Sequence, residues 1–496
     1  MQLLGLDIGS SSVKVAVIDG ETGKCLASAQ HPDVEMEISS PESGWAEQHP
    51  ETWYKHLQEA LKMVITVADV DAKAIGAIGI SYQMHGLVLI DNNQKVIRPA
   101  IIWCDSRATA YGDKAFSEIG SEYCLSHLLN SPGNFTASKL KWVKDKAESD
   151  YQNASFLMLP GDFIAMKLTG EVNTTVSGLS EGIFWDFKES SISSELLDYY
   201  GLDKNKIPTI VPTFGIAGKL SSIASKELGL PEGIPVSYRA GDQPNNAFSL
   251  NVLNPGEVAA TAGTSGVVYA ISDQINYDPY SRVNSFAHVN HEADLNRLGV
   301  LLCINGTGIQ YSWMKREVGK NNYSYPELND RAATVPPGSD GLKVFPFGNG
   351  AERVLRNQDP GARISGIRFN QHNESHLYRA AQEGIAFSFK YGMEVMNNMG
   401  INTSLIRAGS ANLFQSPLFR KTLSSITGAT IELYNTDGAI GAARGAGVGI
   451  SYYKNFSDAF VGFEKIQETE PVDHMRDELE SVYEDWKQEL ELLINK

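Results

Sequence analysis

Residues 3–17, LLGLDIGSSSVKVAV, have a near copy at residues 258–270, VAATAGTSGVVYA. In each, an apolar run enters a turn of Gly, Ser and Thr, and a second apolar run leaves it. Short apolar runs bounded in this way read as strands. The turns aim backbone N–H groups and small hydroxyls to one side, which suits a phosphate. Two such turns half a chain apart imply two related domains facing one phosphorylated ligand. A chain of 496 residues also exceeds one ordinary core, so two domains are expected, over residues 1–250 and 251–496.

The bulk numbers exclude several classes. A net charge of −17 argues against a nucleic-acid partner, which would need a basic surface. It does not exclude a nucleotide that arrives as its magnesium complex and is held by backbone N–H groups. The four cysteines, Cys25, Cys104, Cys124 and Cys303, have no metal-ligand spacing and fit a reducing compartment. The start, MQLLGLDIG, is not a signal peptide, and no apolar run approaches a membrane span. The expectation is a cytoplasmic protein with no membrane contact.

Val13–Ile18 reads as a strand closed by Asp19-Gly20. After Pro50, a favoured first helical residue, Trp53, Leu57, Leu61 and Val64 share one helical face. Ala74–Ser81 and Val236–Ala240 read as buried strands, and residues 88–90 with 96–102 as a hairpin. The Gly-, Ser- and Thr-rich stretch from about 161 to 187 reads as substrate-facing loops. A helix is expected from about His376 to Asn397, and Leu479, Val482, Trp486, Leu490 and Leu493 mark a terminal amphipathic helix packed on the body. Strands alternating with helices give an α/β fold, and the antiparallel pair around the first turn makes its sheet mixed. Neither GxGxxG nor GxxxxGK[ST] stands at the relevant strand ends, which weighs against Rossmann and P-loop folds.

In DIGSSSVK, Ser10, Ser11 and Ser12 offer hydroxyls and N–H groups, and Lys14 adds a cation. Asp7 would repel a bare phosphate, so its presence suggests magnesium held through water. A hairpin with a capping Asp is an equally ordinary reading of the segment alone. Gly263, Thr264 and Ser265 repeat the pattern in the second half.

Taken in order, DIGSSSVK, GWAEQHPETW (44–53), SYQMHG (81–86), RPAIIWCDSRA (98–108), LTGE (168–171), AGDQPNNA (240–247), TAGTSGVV, NGTGIQ (305–310) and GAIGAARGAG (438–447) resemble the FGGY carbohydrate kinases. The resemblance runs from about Leu3 to Ile450. It implies two actin-like, ribonuclease-H-like domains with mixed central sheets flanked by helices and a cleft between them. It also implies a small-molecule sugar acceptor, ATP with Mg2+ as donor, and a homodimer.

QMHG followed by RPAIIWCDSR is most similar to members that phosphorylate a ketose, with D-xylulose the implied acceptor. By this resemblance Gln83, Met84, His85, Trp103, Asp105 and Gln243 contact the sugar. Asp242 is the general base, with a further role at the metal. A sugar hydroxyl is a poor nucleophile and needs a carboxylate to take its proton as it attacks the γ-phosphate. Thr264 is implied near the terminal phosphates, Gly306 and Gln310 near the ribose or phosphates, and Gly409, Ser410 and Asn412 at the adenosine. AGSANLFQSPLF carries about three residues more than the family's glycine run at that loop.

Read alone, His85 is a bonded loop histidine, Met84 a packing residue, Gln310 a buried amide and Asn412 a helix cap. Trp45, Trp53 and Trp313 read as packing residues, and His288 and His291 as surface or loop residues without a metal. Other acceptors (L-ribulose, L-fuculose, L-rhamnulose, gluconate, glycerol) stay open, as does an actin-like ATPase acting on a protein partner.

Overall fold

The computed structural model describes residues 1–495. Its first half is built on a six-stranded sheet. The strands are β1 (Gln2–Ile8), β2 (Val13–Asp19), β3 (Cys25–His31), β4 (Ile75–Tyr82), β5 (Phe214–Lys219) and β6 (Pro235–Gly241), in the order β5-β6-β4-β1-β2-β3. A seven-stranded sheet carries the second half: β7 (Glu257–Ala262), β8 (Gly266–Ser272), β9 (Asn284–Ala287), β10 (Leu298–Ile304), β11 (Leu405–Gly409), β12 (Thr430–Tyr434) and β13 (Lys465–Thr469), in the order β9-β10-β8-β7-β11-β12-β13.

The two sheets are equivalent strand for strand. In the first, β1, β2 and β3 are antiparallel, β1, β4 and β6 are parallel, and β5 returns antiparallel to β6. In the second, β7, β8 and β10 are antiparallel, β7, β11 and β12 are parallel, and β13 returns antiparallel to β12. The internal repeat is therefore β1-β2 against β7-β8, and β9 is an extra edge strand.

Helices in the first half include α1 (Pro50–Ile65), α2 (Thr136–Lys146), α3 (Pro160–Thr169), α4 (Val176–Glu181) and α5 (Asp242–Ser249). The second half has α6 (Gly308–Trp313), α7 (Glu374–Asn398), α8 (Gly438–Gly449) and α9 (Asp473–Ile494). Alternation along β1 divides the first sheet's faces. Leu4, Leu6 and Ile8 pack in one core with Trp53, Leu57, Leu61 and Val64 of α1. The opposite face meets α8, a helix from the other half of the chain.

Glycine makes that meeting close. A Cβ on Gly5 would lie 1.8 Å from the Ala439 carbonyl oxygen, and one on Gly79 would lie 1.9 Å from that of Ala442. Ser237 Oγ adds a hydrogen bond to the Ala446 carbonyl at 2.9 Å.

Most expected elements are present: α1, β4, β6, α7 and α9 lie where periodicity placed them. α9 packs on the body, with Trp486 buried, stacked on Phe345 and donating from Nε1 to the Val344 carbonyl at 2.9 Å. One expectation is corrected. Residues 161–187 are largely the buried helices α3 and α4, and Gly161 serves close packing on Tyr82 rather than a turn. The expected hairpin is present, with Leu87 bridged to Ile101 and Ile90 to Val96 around a turn in which Asp91 N donates to the Lys95 carbonyl at 3.0 Å; Val88–Ile90 also pairs with Phe156–Met158 and Ala100–Ile101 with Glu47–Gln48. Among the described residues, no helix is long and apolar enough to cross a membrane.

Because α8 lies against backbone, any side chain at Gly79 must push the helix away. Gly79→Ala should lower the unfolding free energy by about 1–3 kcal/mol, read from the shift in urea midpoint at unchanged m-value.

Candidate functional site

β1, β4 and β6 are parallel neighbours, and their C-terminal ends present Asp7, the Gln83–His85 loop and Asp242 side by side. Ligands of α/β sheets gather at such ends. Asp242 is the first residue of α5, placed there because Gly241 ends its strand flush against Met84. A Cβ on Gly241 would sit 2.6 Å from Met84 Cγ. The Asp242 carboxyl is pushed up to about 7, first by burial and then by the Asp7 charge. Asp7 is raised as well, mainly by burial, against a hydrogen bond from Ser81.

Lys14 does not face this pair freely. Its ammonium forms an ion pair with Asp437, whose other oxygen accepts from Ile440 N at 3.0 Å and caps α8. The expected phosphate cation is thus committed to the other half of the chain. Two raised carboxyls without a dedicated cation suit a divalent ion. Among the described residues, however, no group of three or more His, Cys, Asp or Glu could hold a metal alone. Asp7 and Asp242 therefore fit magnesium that arrives with its nucleotide and retains water. Ser10, Ser11 and Ser12 form the turn, closed by Gly9 N donating to the Ser12 carbonyl at 3.0 Å.

In the loop after β4, expected to meet the sugar, His85 holds a positive φ of 62°. Its ring meets Phe135 edge-on at 4.8 Å and Phe286 of β9 at 5.4 Å. Burial lowers the imidazole to about 3, so it is neutral, and its Nδ1 donates to the Glu181 carbonyl at 3.0 Å. Lys139 of α2 is fully buried and donates to the carbonyls of His85 (2.8 Å) and Ile102 (2.9 Å). Gln83 is buried and neither of its amide atoms has a partner. Trp103 is 53% exposed and donates from Nε1 to Ser10 Oγ at 3.2 Å, linking its segment to the Ser10–Ser12 turn. Gln243 is half-buried beside Asp242.

Asp105 is corrected: it is buried, and its oxygens accept from Ala46 N at 2.6 Å and from the Arg107 guanidinium. It braces the segment below Trp103 and has no oxygen left for a sugar. Trp45 stacks on Arg107 (3.7 Å to the ring) as a packing residue, and Trp53 is core, but Trp313 is 42% exposed. His288 is also corrected, being fully buried between the Val252 carbonyl and Tyr269.

The second turn opens on a cavity of about 700 Å3 between Gly263, Thr264, Ile309, Tyr325, Asn412 and Leu413, within the range of nucleotide-sized sites. Its floor is tight: Gly308 N donates to the Gly263 carbonyl at 2.8 Å, and a Cβ on Gly308 would come within 2.2 Å of that oxygen. Asn412 holds a positive φ of 52° over Gly263. Ser265 completes the turn, while Gly409 and Ser410 lie behind Asn412 at the end of β11, outside the cavity lining.

Gly306 and Gln310 are placed differently from expectation. They line a second cavity of about 420 Å3 across α6, with Trp313, Met314 and Pro346. The amides of Asn305 and Gly306 are already taken by the buried Glu352 carboxylate.

Sequence reasoning missed Glu181, Lys139, Phe135, Phe286 and Asp437. Glu181 and Lys139 sit in unremarkable helical text, and only tertiary contact brings them to His85.

Two equivalent mixed sheets, an acid pair at the strand ends and a nucleotide-sized cavity opposite define a two-lobed phosphotransferase of actin-like fold. The family models agree. Residues 2–249 match the N-terminal domain, and residues 258–450 the C-terminal domain, of the FGGY family of carbohydrate kinases. The chain belongs to that family and is a carbohydrate kinase. It is 26% identical over 464 residues to the xylulose kinase of Bacillus subtilis (strain 168), covering 92% of this chain and 90% of that protein. With the xylulose kinase of Escherichia coli (strain K12) it shares 28% over 447 residues, 89% and 88% of the two chains. The solved structure of a xylulose kinase from Rhodospirillum rubrum superposes with a TM-score of 0.89 at 23% identity, covering 100% of both chains.

A carboxyl raised in the folded state favours the native structure at low pH, and its ionisation weakens the fold as pH rises from the ordinary value of 3.8 through about 7. Asp242→Asn should therefore melt higher than the parent at about pH 8. That gain should vanish as pH falls towards 4, in calorimetry across that range.

Proposed function

We propose that this kinase transfers the γ-phosphoryl group of ATP to a hydroxyl of a ketose, D-xylulose in the first place, with Asp242 as the general base. The observation that carries the reading is the position of Asp242. It stands between the Met84-His85 loop and Asp7, with a proton affinity near neutrality. A base so tuned is ionised enough to accept a proton and basic enough to draw it from the hydroxyl as the bond to phosphorus forms.

Trp103, Met84, His85, Gln83 and Gln243 line the approach of the sugar. Gln83 has two unpaired amide atoms ready for hydroxyls. The second turn and Asn412 hold the nucleotide across the cleft, with its phosphates directed to Ser10–Ser12. Magnesium bound with ATP would neutralise phosphate charge, and Asp7 and Asp242 would hold it through water. The similarity to xylulose kinases over most of the chain favours D-xylulose over other acceptors.

ADP release measured over D-xylulose, L-ribulose, L-fuculose, L-rhamnulose, gluconate and glycerol tests the acceptor. D-xylulose should give the highest kcat/KM, and a larger value for any other compound replaces it. In the same assay Asp242→Ala should bind ATP as the parent does and lose at least about a thousandfold in kcat. The parent's kcat/KM should fall on the acid side of about pH 7. Strong ATP hydrolysis that no sugar stimulates would favour an ATPase acting on a protein partner.

A further inference from the structure

Glu181 is an acid with no assigned task, buried against the sugar loop. Its side chain is 2% exposed, and no lysine or arginine pairs with it. One oxygen, Oε2, accepts from His85 N at 3.2 Å, while the residue's own carbonyl accepts from His85 Nδ1 at 3.0 Å. Oε1 has no partner in the protein. The same Oε2 lies 3.4 Å from where a Cβ on Gly241 would stand, so it faces the strand end that delivers Asp242.

His85 needs such support. Its φ of 62° is unfavourable for a residue with a side chain, and it persists only if its surroundings impose it. Glu181 grips its N–H and its ring, and Lys139 grips its carbonyl.

We propose that Glu181 is the positioning residue of the sugar loop and works as a neutral carboxylic acid. It locks His85 in its left-handed conformation beside Asp242, and so sets the sugar's place without taking part in proton transfer. The inference rests on the proposed sugar site. The groups around it support neutrality. Burial is the largest influence, and Asp242 and Asp162 repel a second negative charge; the Tyr82 hydroxyl and the His85 N–H favour the ionised form and are outweighed, and Tyr269 adds a polar but uncharged wall. The one nearby ammonium, Lys139, is spent on two carbonyls and leans on Asp105. Two unpaired carboxylates in so dry a site would not both ionise, and Asp242 is the one closer to solvent. Burial accordingly holds Glu181 well above the usual carboxylate range.

Glutamine is isosteric with a protonated glutamate and keeps an oxygen for His85 N–H. Glu181→Gln should therefore keep the sugar KM within about threefold of the parent, with an unchanged pH profile. Glu181→Ala should raise the sugar KM by about tenfold or more and leave the ATP KM unaltered. Three outcomes would overturn the proposal: a Gln variant as impaired as the Ala variant, an Ala variant with parental sugar KM, or equal losses for sugar and ATP. Should the Ala variant not fold, infrared difference spectroscopy decides on the parent and the Gln variant. Among the carbonyl stretches of protonated carboxylic acids at neutral pH, one band of the parent should be missing from Glu181→Gln, and a difference spectrum of the two that lacks such a band refutes the neutral acid. That readout needs no turnover. A parent inactive on every sugar therefore refutes the functional reading alone.

Discussion

The structure depends on one close contact: a helix of the second half lying directly on the backbone of the first half's sheet. α8 can do so because Gly5 and Gly79 offer no side chains, and because its own sequence, GAIGAARGAGVG, is nearly all small. Eight of its residues are buried, and Ala442, Ala443 and Ala446 pack in one core with Leu3, Ala77 and Tyr238. Burial of apolar surface supplies the drive, and backbone proximity makes the geometry single-valued, because a shift of one residue would set a Cβ against a carbonyl.

From that contact the charge arrangement follows. The start of α8 arrives at Asp7 so closely that a Cβ on Gly438 would fall 2.3 Å from the Asp7 carboxylate. Asp437, the cap of that helix, comes along and captures Lys14. Asn245, one turn beyond Asp242, donates to the Gly438 carbonyl at 2.9 Å and ties α5 to the same helix. Asp242, Asp7 and the interface between halves are therefore one unit. The raised proton affinities of Asp7 and Asp242 result from enclosing acids in that junction with too few cations.

Much of this was legible in the sequence. The repeat of LLGLDIGSSSVKVAV at residue 258 announced two equivalent sheets, and the matched order of six strands in each is its structural form. Asp7 was singled out by the turn that ends its strand, and Met84, His85 and Asp242 by the family resemblance; the structure brings all four to the ends of β1, β4 and β6. What stayed hidden depends on contacts between distant segments. Asp105 looks like a sugar ligand beside Trp103, but Arg107 two residues on takes both oxygens. Gly306 and Gln310 look like neighbours of Thr264, yet Gly306 packs on the Pro346 backbone before α6 and rotation along α6 turns Gln310 to the same far side. Glu181 gave no signal because LSEGIF carries neither a cap nor a clear period. His288 had none either, since a polar residue inside a sheet is recognisable only by its partners.

The two turns that repeat in sequence do different work in space, and the edge strand β9 explains part of the difference. Its free edge is bonded by the first half: Asn130 exchanges hydrogen bonds with Ser285, and Ser177 and Ser180 with Ala287. An exposed strand edge is thereby closed, and Phe286 is carried to the ring of His85. The second sheet has thus lent a strand to the surroundings of His85, while α8 has lent its N-terminus to those of Asp7. Each half completes the other's site. Moving either lobe as a rigid body would therefore disturb both the acid pair and the His85 loop.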